Sequence, residues 1–288
     1  MLPAPETYDA LTSTRVLRDK TGAIDAVGVK ESEAAFDARF DRKGASSTIS
    51  TRLGRLCVWT IFDLAEAPDG SMATVSVLVD GPPYPQCHCV TFTNGDAMTK
   101  LPPCAISVQL DRFDVDGKPR WRKRVGAASF GNVPTLTIDP VGRLFVHGLI
   151  DGHESVVAYD PTGKRLWNHA IGAPQPGVGP IASNGKDVVV AAFPTYVRFE
   201  KRDLERQDLV WLSVDDGGER KRLELHDVEL ARLTFANDET TLLASARYAQ
   251  GGAAVWTARI DAPGSIVETR DVLADDAARV DLSKLFSP

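Results

Sequence analysis

Residues 113–121, Phe113-Asp114-Val115-Asp116-Gly117-Lys118-Pro119-Arg120-Trp121, return as residues 159–167, Tyr159-Asp160-Pro161-Thr162-Gly163-Lys164-Arg165-Leu166-Trp167. An aromatic ring, an aspartate, a glycine, a lysine and a tryptophan recur at one offset, 46 residues from Gly117 to Gly163. Each copy reads as a strand, a tight turn and a second strand. The glycine supplies the positive φ that such a turn needs and other residues adopt only at a cost.

Working outward, weaker copies of the turn occur at Asp19-Lys20-Thr21-Gly22, Pro68-Asp69-Gly70, Asp215-Asp216-Gly217 and Ala262-Pro263-Gly264. Glycines 22, 70, 117, 163, 217 and 264 are then 48, 47, 46, 54 and 47 residues apart. A period near 47 is that of a four-stranded propeller blade. A second set of turns falls between the first, at Leu53-Gly54, Asn94-Gly95, Val141-Gly142, Asn184-Gly185 and Asn237-Asp238. Residues 134–170 show a whole unit, four short strands with three tight turns and alternating apolar positions such as Leu144 and Val146. Further strands are expected over 55–64, 186–193, 209–214, 240–248 and 253–260. Helical periodicity is confined to Glu31–Arg42, where Ala35, Phe36 and Phe40 fit a short amphipathic helix, and to Asp271–Arg279.

A four-stranded blade cannot cover both of its faces or its edges alone, and radial packing of blades does so. The expected fold is therefore an all-β single-domain β-propeller of four-stranded blades with little helix. Six outer turns predict six blades, with five as the alternative. In the six-bladed form the N-terminal strands complete a blade begun by Val280–Phe286. A β-sandwich or two small β domains is the competing architecture.

Composition narrows the function. Of 288 residues, 43% are hydrophobic and 25% charged, the balance of a folded chain rather than a disordered one. A formal charge of −6 argues against binding the nucleic-acid backbone. The basic runs Arg120, Arg122, Lys123, Arg124 and Arg220, Lys221, Arg222 stand among acidic neighbours and read as solvated strand faces. No apolar run approaches the ~18–20 residues that span a bilayer. The N-terminus lacks a basic n-region and an apolar core, and its proline-rich start resembles the tether left after a cleaved export signal. Residues 1–14 are therefore expected to be an extended tether. The setting is expected to be extracytoplasmic, with a cytoplasmic one as the alternative.

Residues 158–167, ending in Lys164-Arg165-Leu166-Trp167, resemble the repeat of pyrroloquinoline-quinone-type propellers. Residues 138–148, Ile138-Asp139-Pro140-Val141-Gly142-Arg143-Leu144-Phe145-Val146-His147-Gly148, resemble the related repeats of extracellular bacterial propellers. The likeness is clear over about residues 106–170. It implies a tryptophan docked between blades. The quinoprotein enzymes of this type look like larger rings with adjacent cysteines and metal-binding acidic residues around the cofactor. This chain has no adjacent cysteine pair, so no cofactor is expected.

Four cysteines, Cys57, Cys87, Cys89 and Cys104, are the candidates for two disulfides, as an even count in an exported chain implies. Unpaired thiols and a metal site built on Cys87, His88, Cys89 and Cys104 are the alternatives, although Cys-x-Cys is not the usual structural zinc spacing. His147 ends an expected inner strand, and Asp151, His153 and Glu154 lie on the connection that follows. These three are the candidate rim residues for binding a partner, metal chemistry and acid–base work being further options. Catalytic signatures fail: Ala127–Gly131 lacks the first glycine of a nucleophile elbow. Gly179–Asp187 has the wrong spacing for a phosphate loop. The calcium-like Asp114-Val115-Asp116-Gly117 puts Lys123 where a bidentate glutamate belongs. Trp59, Trp121, Trp167, Trp211 and Trp256 recur about once per blade and read as packing anchors.

The expected function is a non-catalytic propeller that binds a protein partner or serves as a scaffold. A propeller enzyme, a metal-dependent hydrolase or lyase with its site at the ring axis, is one alternative. A structural subunit of a larger envelope or extracellular assembly is the other.

Overall fold

The computed structural model describes residues 13–18, 24–32, 35–42, 45–52, 57–80, 105–115, 118–128, 134–172, 179–192, 207–226, 228–235, 241–248, 253–259 and 266–272. They form twenty strands and no helix. Blade 1 holds β1 (Ser13–Arg18), β2 (Ile24–Ser32), β3 (Ala35–Arg42) and β4 (Ala45–Arg52). Blade 2 holds β5 (Cys57–Glu66), β6 (Met72–Asp80), β7 (Ala105–Phe113) and β8 (Pro119–Ala127). Blade 3 holds β9 (Thr135–Ile138), β10 (Leu144–Ile150), β11 (His153–Tyr159) and β12 (Arg165–Gly172). Blade 4 holds β13 (Ile181–Ser183), β14 (Asp187–Ala192), β15 (Gln207–Ser213) and β16 (Glu219–Leu225). Blade 5 holds β17 (Val228–Phe235), β18 (Thr241–Tyr248), β19 (Ala253–Arg259) and β20 (Ile266–Val272). Every blade is an antiparallel meander whose strands neighbour one another in chain order.

The fold is thus the expected all-β propeller of four-stranded blades, and the described residues hold five of them, the lower of the two expected numbers. Blade 1 takes all four strands from residues 13–52, so it is not shared between the chain ends. Val280–Phe286 lies outside the described residues. The strand β1 begins at Ser13, inside the stretch expected to be a tether.

One expected helix is a strand, and the other lies almost wholly outside the described residues. Residues 35–42 form β3, paired along its whole length with β2 and β4. Phe36 and Phe40 are four apart, a spacing that satisfies a period of two as well as 3.6, and pairing on both edges decides the conformation. Residues 266–272 form β20, paired with β19, and residues 273–279 lie outside the described residues.

Burial follows position in the blade. The middle strands β10, β14 and β15 are buried at every residue, because a neighbouring blade covers each face. The outermost strands β8 and β16 are largely exposed. Successive blades touch through their first strands, β5 with β9, β9 with β13 and β13 with β17. The core accordingly lies between blades. Val75, Val108, Leu110, Leu144, Val146, Val157 and Tyr159 join blades 2 and 3. Phe145, Val156, Trp167, Val188, Val190 and Val210 join blades 3 and 4, and Leu209, Trp211, Leu230 and Leu242 join blades 4 and 5.

Two tryptophans fasten consecutive blades by one device. The Trp121 indole N–H on β8 donates to the Pro161 carbonyl in the β11–β12 turn, at 3.0 Å. The Trp167 N–H on β12 donates to the Val214 carbonyl in the β15–β16 turn, at 2.9 Å. Each ring lies on the turn glycine of the next blade. A Cβ on Gly163 would stand 2.9 Å from Trp121, and one on Gly217 would stand 2.6 Å from Trp167. Both glycines also have positive φ, 83° and 73°, so the turn and the indole seat require glycine for separate reasons. The other tryptophans are not copies of these: Trp59 is on β5, a first strand, and Trp211 and Trp256 are on β15 and β19, third strands.

The two ends of the blades differ. Turns from first to second and from third to fourth strand share one end and are short. Several are tied by an Asx hydrogen bond, which pre-forms the reversal. Asp139 accepts from the Val141 and Arg143 amides at 3.0 and 2.8 Å. Asp160 accepts from the Thr162 and Lys164 amides, both at 2.9 Å. Asn184 accepts from the Lys186 and Asp187 amides at 2.9 and 2.8 Å. The opposite end carries the blade-to-blade connections and those from second to third strand. There residues 81–104 and 193–206 connect β6 to β7 and β14 to β15, where blade 3 uses only 151–152.

Candidate functional site

The Asp151-Gly152 turn joins β10 to β11, whose last and first residues, Ile150 and His153, are directly paired. Both turn residues have positive φ, 52° and 85°, the geometry that an Asp-Gly hairpin turn favours. Asp151 is turned toward blade 2. Its carboxylate accepts from the Ala127 amide at 2.8 Å, and its own amide donates to the Ala127 carbonyl at 2.9 Å. Gly126 admits this approach, because a Cβ there would lie 2.5 Å from Ile150 and 2.9 Å from the carboxylate. Asp151 therefore stitches β8 to the end of β10.

The three rim candidates do not form one site. His153 is exposed, and Glu154, the next residue along the strand, projects from the opposite face. Glu154 is 1% exposed and His147 is fully buried. Glu154 Oε1 lies 3.0 Å from His147 Nε2, and His147 Nδ1 lies 3.0 Å from the Gly179 carbonyl just before β13. The Thr135 hydroxyl, from β9, donates to the same carbonyl at 3.0 Å. Glu154 Oε2 is buried without a hydrogen-bond partner. It rests on Gly172, where a Cβ would come within 2.7 Å.

Comparable polar links reach the first strands of blades 3 and 5. Asp63 on β5, 5% exposed, accepts from the Leu136 amide of β9 at 2.9 Å. Gln207 on β15, fully buried, accepts from the Leu230 amide of β17 at 2.8 Å. The sequence reading missed Asp63 and Gln207. The available signal was a polar side chain in a strand with apolar neighbours.

Four arginines of the basic runs are tied into carboxylates. Arg120 bonds Asp114, Arg122 bonds Asp111 at 2.6 Å, and Arg220 bonds Asp187 at 2.8 Å. Arg222 reaches Asp208 at 2.9 Å and Glu219 at 2.7 Å, and donates to the Ile171 carbonyl of blade 3 at 3.2 Å. Its hydrogen bond to Glu219 raises the guanidinium above its ordinary value and holds the Glu219 carboxyl below its own. Hydrogen bonds from Thr162 lower Asp160, and those from the Gly218 amide lower Asp216. Burial pushes the Arg112 guanidinium down; it bonds Ser71, while its Nε and Nη1 have no hydrogen-bond partner.

Among the described residues, no three His, Cys, Asp or Glu side chains converge to hold a metal. Cys87, His88, Cys89 and Cys104 lie outside the described residues. Cys57 opens β5 and is paired in register with Val79 on β6. Since Asp80 pairs with Ala105, Cys57 sits at the blade end from which the connection 81–104 leaves and returns.

No protein family and no curated protein matches the chain. Solved structures with a similar fold include polysaccharide lyase Uly1, at TM-score 0.48 and 9% identity over 87% of this chain. The Neurospora crassa Pan2 WD40 domain matches 94% of the chain at 0.46 and 10% identity, and the Dos1 propeller 90% at 0.45 and 9%. The chain spans 58%, 82% and 62% of those three structures respectively.

Proposed function

We propose that this propeller is a non-catalytic module that binds a protein partner, alone or as a subunit of a larger assembly, through one end of its blades. The observation that carries this is the difference between the ends. One end is closed by short turns held by their own side chains. From the other leave the connections 81–104 and 193–206, together with the Asp151-Gly152 turn. Long segments set on a rigid frame are the usual carriers of recognition. Of the rim candidates, Asp151 is spent on joining blade 3 to β8 of blade 2, and Glu154 on holding His147, whose other ring nitrogen reaches the Gly179 carbonyl at the entry to blade 4.

Replacing 193–206 with a short Asp-Gly turn tests this. The variant is expected to keep its far-UV spectrum and thermal midpoint while losing the partners that the intact chain captures. Unchanged capture by an equally folded variant would overturn the reading. The proposed setting is extracytoplasmic, supported by the even cysteine count and by three of the four falling in residues 87–104. In protein taken directly from its native compartment, all four cysteines are expected to resist alkylation until reduced. Labelling of free thiols without reductant would contradict that setting.

A further inference from the structure

We infer that the face of blade 2 turned away from blade 3 is a second binding site, which takes a neutral, hydroxyl-rich ligand of the saccharide class. The site lies on a blade face rather than at the blade end proposed for a protein partner, and does not rest on that reading. The two middle strands of the blade mark it in the sequence. Thr74-Val75-Ser76-Val77 on β6 and Ser107-Val108-Gln109-Leu110-Asp111 on β7 alternate polar and apolar residues, the pattern of a sheet with one wet face and one dry face. In blade 4, by contrast, Val188, Val189, Val190 and Ala191 fill both faces of β14.

Register assigns the two sets to opposite faces. Val75 pairs with Leu110, and both lie with Ala73 and Val108 in the core shared with blade 3. Thr74 pairs with Asp111 and Ser76 with Gln109. These four share the other face with Ser107, two residues along from Gln109. Asp111 pairs in turn with Arg122 on β8. The polar groups therefore stand on a grid spaced ~5 Å across the strands and ~7 Å along them.

A face of this composition ordinarily meets water, and this one is buried. Thr74 is 2% exposed, Ser107 3%, Ser76 4%, Gln109 5% and Asp111 7%. Among the described residues, the hydroxyls of Thr74, Ser76 and Ser107 have no hydrogen-bond partner. Buried hydroxyls are nearly always bonded, because leaving one unmet costs free energy. Three on one face point to a ligand that answers them. The neighbouring groups are only partly occupied. Gln109 Nε2 donates to the two Asp111 oxygens at 3.2 and 3.0 Å, which leaves the amide oxygen open. Arg122 Nε donates to Asp111 Oδ1 at 2.6 Å.

That inventory selects the ligand. Each hydroxyl both donates and accepts, the Gln109 carbonyl accepts, and the Asp111 carboxylate retains lone pairs. A sugar ring offers the complement, adjacent hydroxyls that each donate and accept. Asp111 and Arg122 neutralise one another, so the face carries no surplus charge to select an ion. Phe113 continues the face beyond Asp111 and is 3% exposed, an apolar surface for the C–H side of a sugar. Exposure rises to 42% at the Arg122 side chain, so the face opens at β8.

Saturation-transfer NMR of the full chain with cellobiose, maltose and xylobiose tests the site. At least one of the three is expected to bind, and its affinity is expected to fall about tenfold in the Thr74→Val, Ser76→Ala double variant. The thermal midpoint of that variant is expected to stay within about 2 °C of wild type, because the hydroxyls removed bond nothing in the protein. No transfer from any of the three sugars would overturn the proposal, as would equal affinity in an equally stable variant. Should the double variant fail to fold, amide shifts of the wild type on sugar titration decide. Changes centred on residues 74–76 and 107–111 support the site, and changes confined to other residues refute it.

Discussion

Gly179→Ala is expected to cost about 4 kcal/mol of folding stability, read as a drop of about 10 °C in the thermal midpoint. The reason is a backbone approach. A Cβ at this position would stand 2.0 Å from the Ala191 carbonyl oxygen and 2.9 Å from its carbon. Neither atom is the end of a flexible side chain, so the start of β13 must move away from β14. That movement strains the Ala191 amide bond to the Pro180 carbonyl, 3.0 Å, and both bonds to the Gly179 carbonyl from His147 and Thr135. Gly152→Ala is the control for backbone conformation alone. Its φ of 85° is unfavourable to alanine, but no atom lies within 4 Å of the added carbon. It is expected to cost about 1–2 kcal/mol. Equal midpoints for the two variants would mean that the Gly179 contact is not as close as described.

The second large effect is expected at Trp167. Trp167→Ala should cost about 3–5 kcal/mol, measured by denaturant or thermal unfolding. The ring is 9% exposed in the core between blades 3 and 4. It packs 5.8 Å from Phe145, centroid to centroid, and its N–H is satisfied by Val214. Removal leaves a cavity between two blades and an unanswered carbonyl at a turn. Trp167→Phe keeps most of the apolar contact and loses the hydrogen bond, for about 1 kcal/mol. The same truncation at Trp121 should cost less, because that ring is only half-buried. A Trp167→Ala midpoint within 2 °C of wild type would argue that blades 3 and 4 are not joined through this ring.

What the sequence revealed, and what it concealed, follows from the turns. The 113–121 and 159–167 pair marks equivalent positions, the third-to-fourth strand turns of blades 2 and 3. That local likeness is chemical, an Asp/Gly reversal followed by a tryptophan, and it was enough for the fold class. The phase was not legible. Gly22 and Gly70 fall between first and second strands, while Gly117, Gly163, Gly217 and Gly264 fall between third and fourth. The near-constant spacing from 70 to 117 arises because the connection 81–104 lengthens blade 2 by about as much as the phase error shortens the count. Mixing the two kinds of turn is what favoured six blades over the five described. The helix expected at 31–42 failed because the phenylalanine spacing there is compatible with both periods.

The candidate site was partly legible. His147 was placed at the end of an inner strand and Glu154 on the connection that follows, and the structure brings the two into contact. Asp151 and His153 were grouped with Glu154 by closeness in sequence, yet alternation along a strand sends neighbours to opposite faces. Asp63 and Gln207 could be recognised only once the next blade was in place, since each bonds an amide far along the chain. The cysteine pairing rests on residues beyond those described.

The central claim is that consecutive blades are fastened by an indole seated on the next blade's turn glycine. Proton NMR of the deuterated chain tests it most directly, through nuclear Overhauser contacts between the Trp167 ring and Gly217 and between the Trp121 ring and Gly163. The account predicts both contacts, with the glycine resonances displaced by the ring current and shifted back in W167A and W121A respectively. Indoles that show contacts only within their own blades, with glycine resonances indifferent to both substitutions, would contradict it.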